Sequence, residues 1–113
     1  MALKEKNEGD IVILYPKGFL MGGAETDELQ KRVQELKASG NQKLVVNLSD
    51  TSHMNSTAIG MFITAHKHYS ERGAKLKLCN VDRKIQNVFV ITRLSLVFEV
   101  YESEAEAIAS FAA

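Results

Sequence analysis

The sequence predicts an α/β domain: a mixed, mostly parallel sheet of four to five strands with about four helices, filling residues 1–113 as one unit. Three observations predict it. Short β-branched runs, Ile11–Tyr15 and 43–48 (Lys-Leu-Val-Val-Asn-Leu), have strand length. Stretches with apolar residues at helical spacing lie between such runs, so successive strands need crossover helices and run parallel. Glycine punctuation at Gly9-Asp10, Gly22-Gly23, Gly40-Asn41 and Gly73 separates the segments.

Residues 1–8 read as a weaker strand, paired with Ile11–Tyr15 as a hairpin through Gly9-Asp10. Pro16 and Gly18 then mark an edge, a bulge or a strand end. Met21-Gly22-Gly23 is a flexible connection. A helix is expected over 26–39, with Leu29, Val33 and Leu36 on one face and a stop at Gly40-Asn41. The buried strand 43–48 leads into a polar loop. The next helix starts near Ser56, runs to about Glu71, and places Ile59, Phe62, Ile63, His66 and Tyr69 on one face. Lys75–Cys79 is a strand. Asp82 caps a helix whose core face is Ile85, Val88 and Phe89. A final strand covers 96–101. Ser103 caps the last helix with Glu106 as capping-box partner, and Ala105, Ile108 and Ala112 lie on its inner side.

Composition narrows the function. Hydrophobic residues make up 45% and charged residues 25%, an ordinary globular balance. Lys plus Arg and Asp plus Glu are both 14, so no basic footprint points to direct nucleic-acid binding. Cys79 is the single cysteine, which rules out an internal disulfide and fits a reducing compartment; it reads as a small buried hydrophobe. The polar segment 1–10 does not resemble a signal peptide, and no apolar run is long enough to insert in a membrane, so cytoplasmic residence is expected. A chain this short favours a compact regulator or binding module over an enzyme with its own lid.

The chemistry-bearing segment is Asn47-Leu48-Ser49-Asp50-Thr51-Ser52-His53-Met54-Asn55-Ser56-Thr57-Ala58-Ile59-Gly60. It follows the carboxyl end of a buried strand, where α/β sheets gather their sites, and it opens a helix. A helix N-terminus presents unpaired N–H groups and a positive dipole end, so a phosphate is tolerated there. The same residue types are also ordinary N-caps, and spacing alone does not separate capping from modification. Ser56 or Thr57 as an enzymatic nucleophile would need a base and an orienting group; His53 is near, but no Gly-x-Ser-x-Gly elbow or phosphate-cradling Gly-rich loop is present. His53, His66 and His68 do not make a metal site: His66 and His68 are two apart on a helix and no further ligands complete a set. No catalytic residue, metal or cofactor is assigned.

Asn47-Leu48, then Met54 and Asn55-Ser56-Thr57-Ala58-Ile59-Gly60, resemble the STAS domain family, especially bacterial anti-sigma factor antagonists. The family has a strand ending in Asn/Asp-Leu, a hydrophobic residue, and Asp-Ser-Ser/Thr-Gly-Leu-Gly opening a long helix. Gly18-Phe19-Leu20, Glu28-Leu29, Gly73-Ala74-Lys75-Leu76 and Val88-Phe89 through Leu94 extend the likeness over nearly the whole chain. Met21 and Asn55 stand where the family carries acids, Ala58 stands where it carries glycine, and Gly22-Gly23 adds a residue before the first helix.

The resemblance implies a phosphorylation switch at Thr57, with Ser56 as the other acceptor. It implies a transcription regulator that works by partner switching. The unphosphorylated form binds an ATP-binding anti-sigma factor serine/threonine kinase and so frees a sigma factor. Phosphorylation ends that binding, and a metal-dependent serine/threonine phosphatase restores it. The partner-facing residues would be Met21, Met54, Asn55, Ser56, Thr57, Ala58 and Met61. Ala58 and Met61 share a helix face distinct from that of Ile59, Phe62 and Ile63; with Met54 they form an apolar patch if exposed, and plain core if covered. A monomer or weak dimer is expected. Two alternatives are a STAS scaffold in a signalling assembly and a STAS subunit of an ABC-type lipid transport system.

Overall fold

The computed structural model describes residues 3–91, 93 and 97–112. Strand β1 (Lys4–Glu8) turns at Gly9, whose φ is +61°, and pairs antiparallel with β2 (Ile11–Tyr15). From there the sheet is parallel: β2 to β4 (Lys43–Asn47), β4 to β6 (Lys75–Cys79), and β6 to β7 (Glu99–Tyr101), in the order β1-β2-β4-β6-β7. The expected mixed, mostly parallel sheet is therefore present, including the N-terminal hairpin. The crossovers are α1 (Ala24–Ala38), α2 (Ser56–Glu71) and α3 (Arg83–Ile91), and α4 (Glu104–Ser110) closes the chain.

Strand alternation sends side chains to two faces. Val12, Leu14, Leu44, Val46, Leu76 and Leu78 meet the buried residues of α1, α2 and α3. Ile11, Ile13, Val45 and Cys79 meet Ala107 and Ile108 of α4 and Phe111 at its C-terminal cap. Lys77 pairs in register with Val45 and so falls on the α4 face, 4% exposed. Its ammonium donates to Ser110 Oγ at 2.7 Å, lies 3.3 Å from Glu99 and sits over the Phe111 ring at 4.2 Å. A buried charge needs such partners, and here they fasten α4 to the sheet.

Several expectations shift. The polar stretch before α2 contains a strand, β5 (Thr51–Met54), which pairs parallel with β3 (Gly18–Leu20) as a separate two-stranded ribbon. Helix α1 begins at Ala24, before Thr26, whose hydroxyl accepts from Gly22 N–H at 3.0 Å. Of the expected α3 core face, Ile85 and Phe89 are buried while Val88 is 41% exposed. In α4 the inward residue is Ala107, with Ile108 beside it; Ala105 and Ala112 are exposed. The inner face of α2 is Ala58, Met61, Phe62, Ala65 and Tyr69, so Ile63 points partly to solvent. The start of the last expected strand at Leu96, and Leu94 of the resemblance, lie outside the described residues.

Candidate functional site

The site is built where β4 hands the chain to β5 and β5 to α2. Asn47, the last residue of β4, turns the chain by accepting from Ser49 N–H at 2.9 Å through Oδ1. Thr51 Oγ1 donates to Pro16 O at 3.1 Å, and Gly18 N–H donates to Asp50 O at 2.9 Å, so β5 is locked beside β3. Asn55 N–H donates to Leu20 O at 3.1 Å and ends that pairing. Helix α2 then starts at Ser56.

Asn55 is the N-cap of this helix. Its backbone is extended, and its Oδ1 accepts from Ala58 N–H at 3.1 Å. Its Nδ2 donates to Met21 O at 2.9 Å. One amide thus caps α2 and ties the β3–α1 loop to it. An aspartate could do only the first, because a carboxylate has no donor.

With capping assigned to Asn55, Ser56 and Thr57 occupy the first two helical positions and are both exposed. Among the described residues neither hydroxyl takes part in a hydrogen bond. The first turn of α2 carries no acidic residue, so nothing there opposes the positive end of the helix dipole. Gly22 lies against Thr57: a β-carbon at Gly22 would sit 3.2 Å from Thr57 Cγ2. With φ at +87°, Gly22 is also in the left-handed region that disfavours a side chain. The glycine therefore lets the loop close over Thr57 without covering it.

The other expected partner-facing residues divide. Met21 is 50% exposed beside Gly22, and Phe19 is 58% exposed, edge-on to His53 at 4.6 Å between ring centres. Met54 is half-buried and lines a hollow of about 100 Å³ with Ile59, Lys84 and Val88. Ala58 and Met61 are buried, so the exposed patch expected from them does not form. They face the core with Ala65, in contact with the cluster that holds Val33 and Leu36 of α1. Helix phase explains this: α1 covers the 58–61–65 side, which sequence left unassigned because both sides of α2 are apolar.

The remaining polar groups hold structure. Burial pushes the Cys79 thiol up to about 12, which keeps it protonated and unreactive. His66 lies edge-on to Phe98 at 5.5 Å, and His68 Nδ1 is 3.4 Å from Lys37 Nζ. Among the described residues no group of three His, Cys, Asp or Glu is placed to hold a metal ion. None of their helices is long and apolar enough to cross a membrane.

This is the architecture of a small α/β domain with a solvent-facing hydroxyl pair opening its second helix. Residues 2–107 match the STAS domain family, and the chain belongs to it. It is 29% identical over 75 residues to the anti-sigma-B factor antagonist of Staphylococcus aureus, covering 66% of this chain and 69% of that protein. A crystal structure of a Thermotoga maritima protein assigned as an anti-sigma factor antagonist is 26% identical, with a TM-score of 0.88 over 96% of this chain and 92% of that one. The Bacillus protein SpoIIAA, solved in its phosphorylated form, shares the fold at 17% identity, with a TM-score of 0.76 over 97% of this chain and 99% of that one.

Proposed function

We propose that this chain is an anti-sigma factor antagonist of the partner-switching type. In its unphosphorylated form it docks on an anti-sigma factor serine/threonine kinase through the α2 N-terminus and the β3–α1 loop, and so releases a sigma factor. The kinase phosphorylates Thr57, with Ser56 the alternative acceptor, and a metal-dependent phosphatase reverses it.

The observation that carries this reading is the division of labour at the helix start. Asn55 does the capping, which leaves two exposed hydroxyls beside it without a structural task. The relatives named as antagonists support the same role. Phosphorylation adds roughly −1.5 to −2 charges. The α2 N-terminus accommodates them, so the fold is kept. At a closed interface with Met21 and Phe19 at its rim, the same charge must be desolvated, and binding is lost.

The test is to incubate the protein with its cognate kinase and ATP and map the phosphosite by mass spectrometry. Phosphate on Thr57, lost in Thr57→Ala, is expected; no phosphate on either hydroxyl refutes the switch. The exposed apolar rim would also suit a scaffold whose binding ignores phosphorylation. Thr57→Asp separates the two, since it should abolish kinase binding in the first reading and leave partner binding intact in the second.

A further inference from the structure

The outward face of α3 sets exposed aliphatic side chains between cations. Its inward side is fixed by Ile85 and Phe89, which are both buried. Helical spacing puts two rows on the other side: Arg83, Asn87 and Val90 in one, Lys84, Val88 and Ile91 in the other, all of them exposed. Each row begins with a cation and ends with an aliphatic side chain about 10 Å further along the axis. Ile91 is 80% exposed and Val90 59%. Just past them Arg93 closes the helix: its φ is +63°, and its N–H donates to Val90 O at 3.1 Å. The aliphatic end of the helix is therefore flanked by cations along the axis in both directions.

Two features indicate what covers this face. The first is charge. The chain has no formal net charge, yet from Arg83 to Phe98 its sequence holds three basic residues and no acid. Among the described residues Arg83, Lys84 and Arg93 form no ion pair. Asp82 precedes the helix, but its carboxylate accepts from Lys84 N–H at 2.8 Å; Glu102 shares a crevice with Arg83 without pairing to it. Arg83 and Lys84 also stand in the first turn, where the helix dipole opposes a cation, and no acid offsets them there. The second feature is the kind of apolar group. The aromatic residue of α3, Phe89, is buried, so the exposed part is aliphatic alone. Hot spots that bind proteins centre on Trp, Tyr and Arg, with Val under-represented and Lys depleted. Apolar side chains bordered by Lys and Arg suit the headgroup–acyl boundary of a bilayer.

We propose that α3 docks this protein on an anionic membrane surface. The helix lies along the surface, because both rows run parallel to its axis. Val90 and Ile91, with Val88 beside them, enter the boundary between headgroups and acyl chains. Arg83, Lys84 and Arg93 pair with lipid phosphates, each strengthening attachment by about fivefold. The chain rests on the bilayer through a shallow, reversible contact and does not span it. This docking does not rest on the phosphorylation reading.

The test is co-sedimentation of the full chain with vesicles of phosphatidylglycerol and phosphatidylcholine in equal parts, and with vesicles of phosphatidylcholine alone. Saturable binding to the anionic vesicles is expected, weakened by salt and nearly absent on the neutral ones. Ile91→Asn should weaken it by about tenfold. The double variant Arg83→Gln with Lys84→Gln should weaken it by about 25-fold. All three positions are exposed, so thermal unfolding of the variants should match the parent. On the unaltered protein, spin-labelled lipid in the anionic vesicles should broaden the amide resonances of Val90, Ile91 and Arg93 more than those of β1. The proposal is overturned if the anionic vesicles bind no protein, or if the neutral ones bind as much. It is equally overturned if Ile91→Asn or the double variant binds like the parent. Failure to bind vesicles, with Ile91→Asn abolishing capture of a kinase or of a second copy of the chain, would make the face a protein interface instead.

Discussion

Replacing Asn55 tests the way this site is assembled. Asn55→Ala removes two interactions at once: the cap to Ala58 N–H at 3.1 Å and the tether to Met21 O at 2.9 Å. Loss of an N-cap costs about 1 kcal/mol. Loss of one partly exposed amide–carbonyl hydrogen bond costs about 0.5–1 kcal/mol. The expected destabilisation is therefore about 1.5–2 kcal/mol, or a fall in Tm of about 6–8 °C for a domain of this size. Asn55→Asp keeps the cap and gains from the helix dipole by about 0.3–1 kcal/mol, but it loses the tether and sets a carboxylate against the Met21 carbonyl oxygen. Its net change should stay within about 1 kcal/mol. Urea unfolding of the three proteins, read at constant m, gives these differences. Amide hydrogen exchange in the β3–α1 loop should quicken in both variants, because both cut the tether. An Asn55→Ala protein as stable as the parent, or a loop unchanged in both, would refute the assignment of Asn55 as cap and tether.

Other perturbations follow from the same contacts. Gly22→Ala places a methyl in the left-handed region and 3.2 Å from Thr57 Cγ2, so it should destabilise by about 1–2 kcal/mol in thermal unfolding and slow phosphorylation at Thr57. Met61→Ala should cost about 2–5 kcal/mol because Met61 is core; a change below about 0.5 kcal/mol would mean that it faces solvent. Glu104 is pushed up by burial, but hydrogen bonds from Tyr15 at 2.6 Å, Asn47 at 3.0 Å and Lys6 at 3.0 Å outweigh it and hold its carboxyl below the ordinary value of 4.5. A depressed folded pKa stabilises above the unfolded value and loses that stabilisation as pH falls through the folded one. Stability measured below pH 4.5 should therefore decline less steeply in Glu104→Gln than in the parent.

Most of the strand and helix order was legible because it depends on short-range patterns. The β-branched run at Ile11–Tyr15, the short Lys-Leu alternation of Lys75–Cys79, and the helical spacing of Leu29, Val33 and Leu36 report local conformation and burial together. The Ser103 cap, accepting from Glu106 N–H at 3.2 Å, is a contact between residues three apart, so sequence contains both ends of it. Strand β5 was not legible. Thr-Ser-His-Met has no apolar alternation, and it becomes a strand only because Gly18–Leu20 lies alongside. The facing of α2 and α4 was misread for a related reason: when several sides of a helix carry small or apolar residues, the neighbour that covers one side decides which is core.

Sequence by itself determined the α/β order, the hairpin at Gly9 and the place of the hydroxyl pair at the opening of a helix. It could not say which of Asn55, Ser56 and Thr57 caps that helix, since all three types are able to. Tertiary structure decided it. The carbonyl of Met21, which is 34 residues away, draws the Asn55 amide into one orientation and leaves its oxygen aimed at Ala58 N–H. That long-range contact leaves Ser56 and Thr57 facing solvent, and no local pattern encodes it.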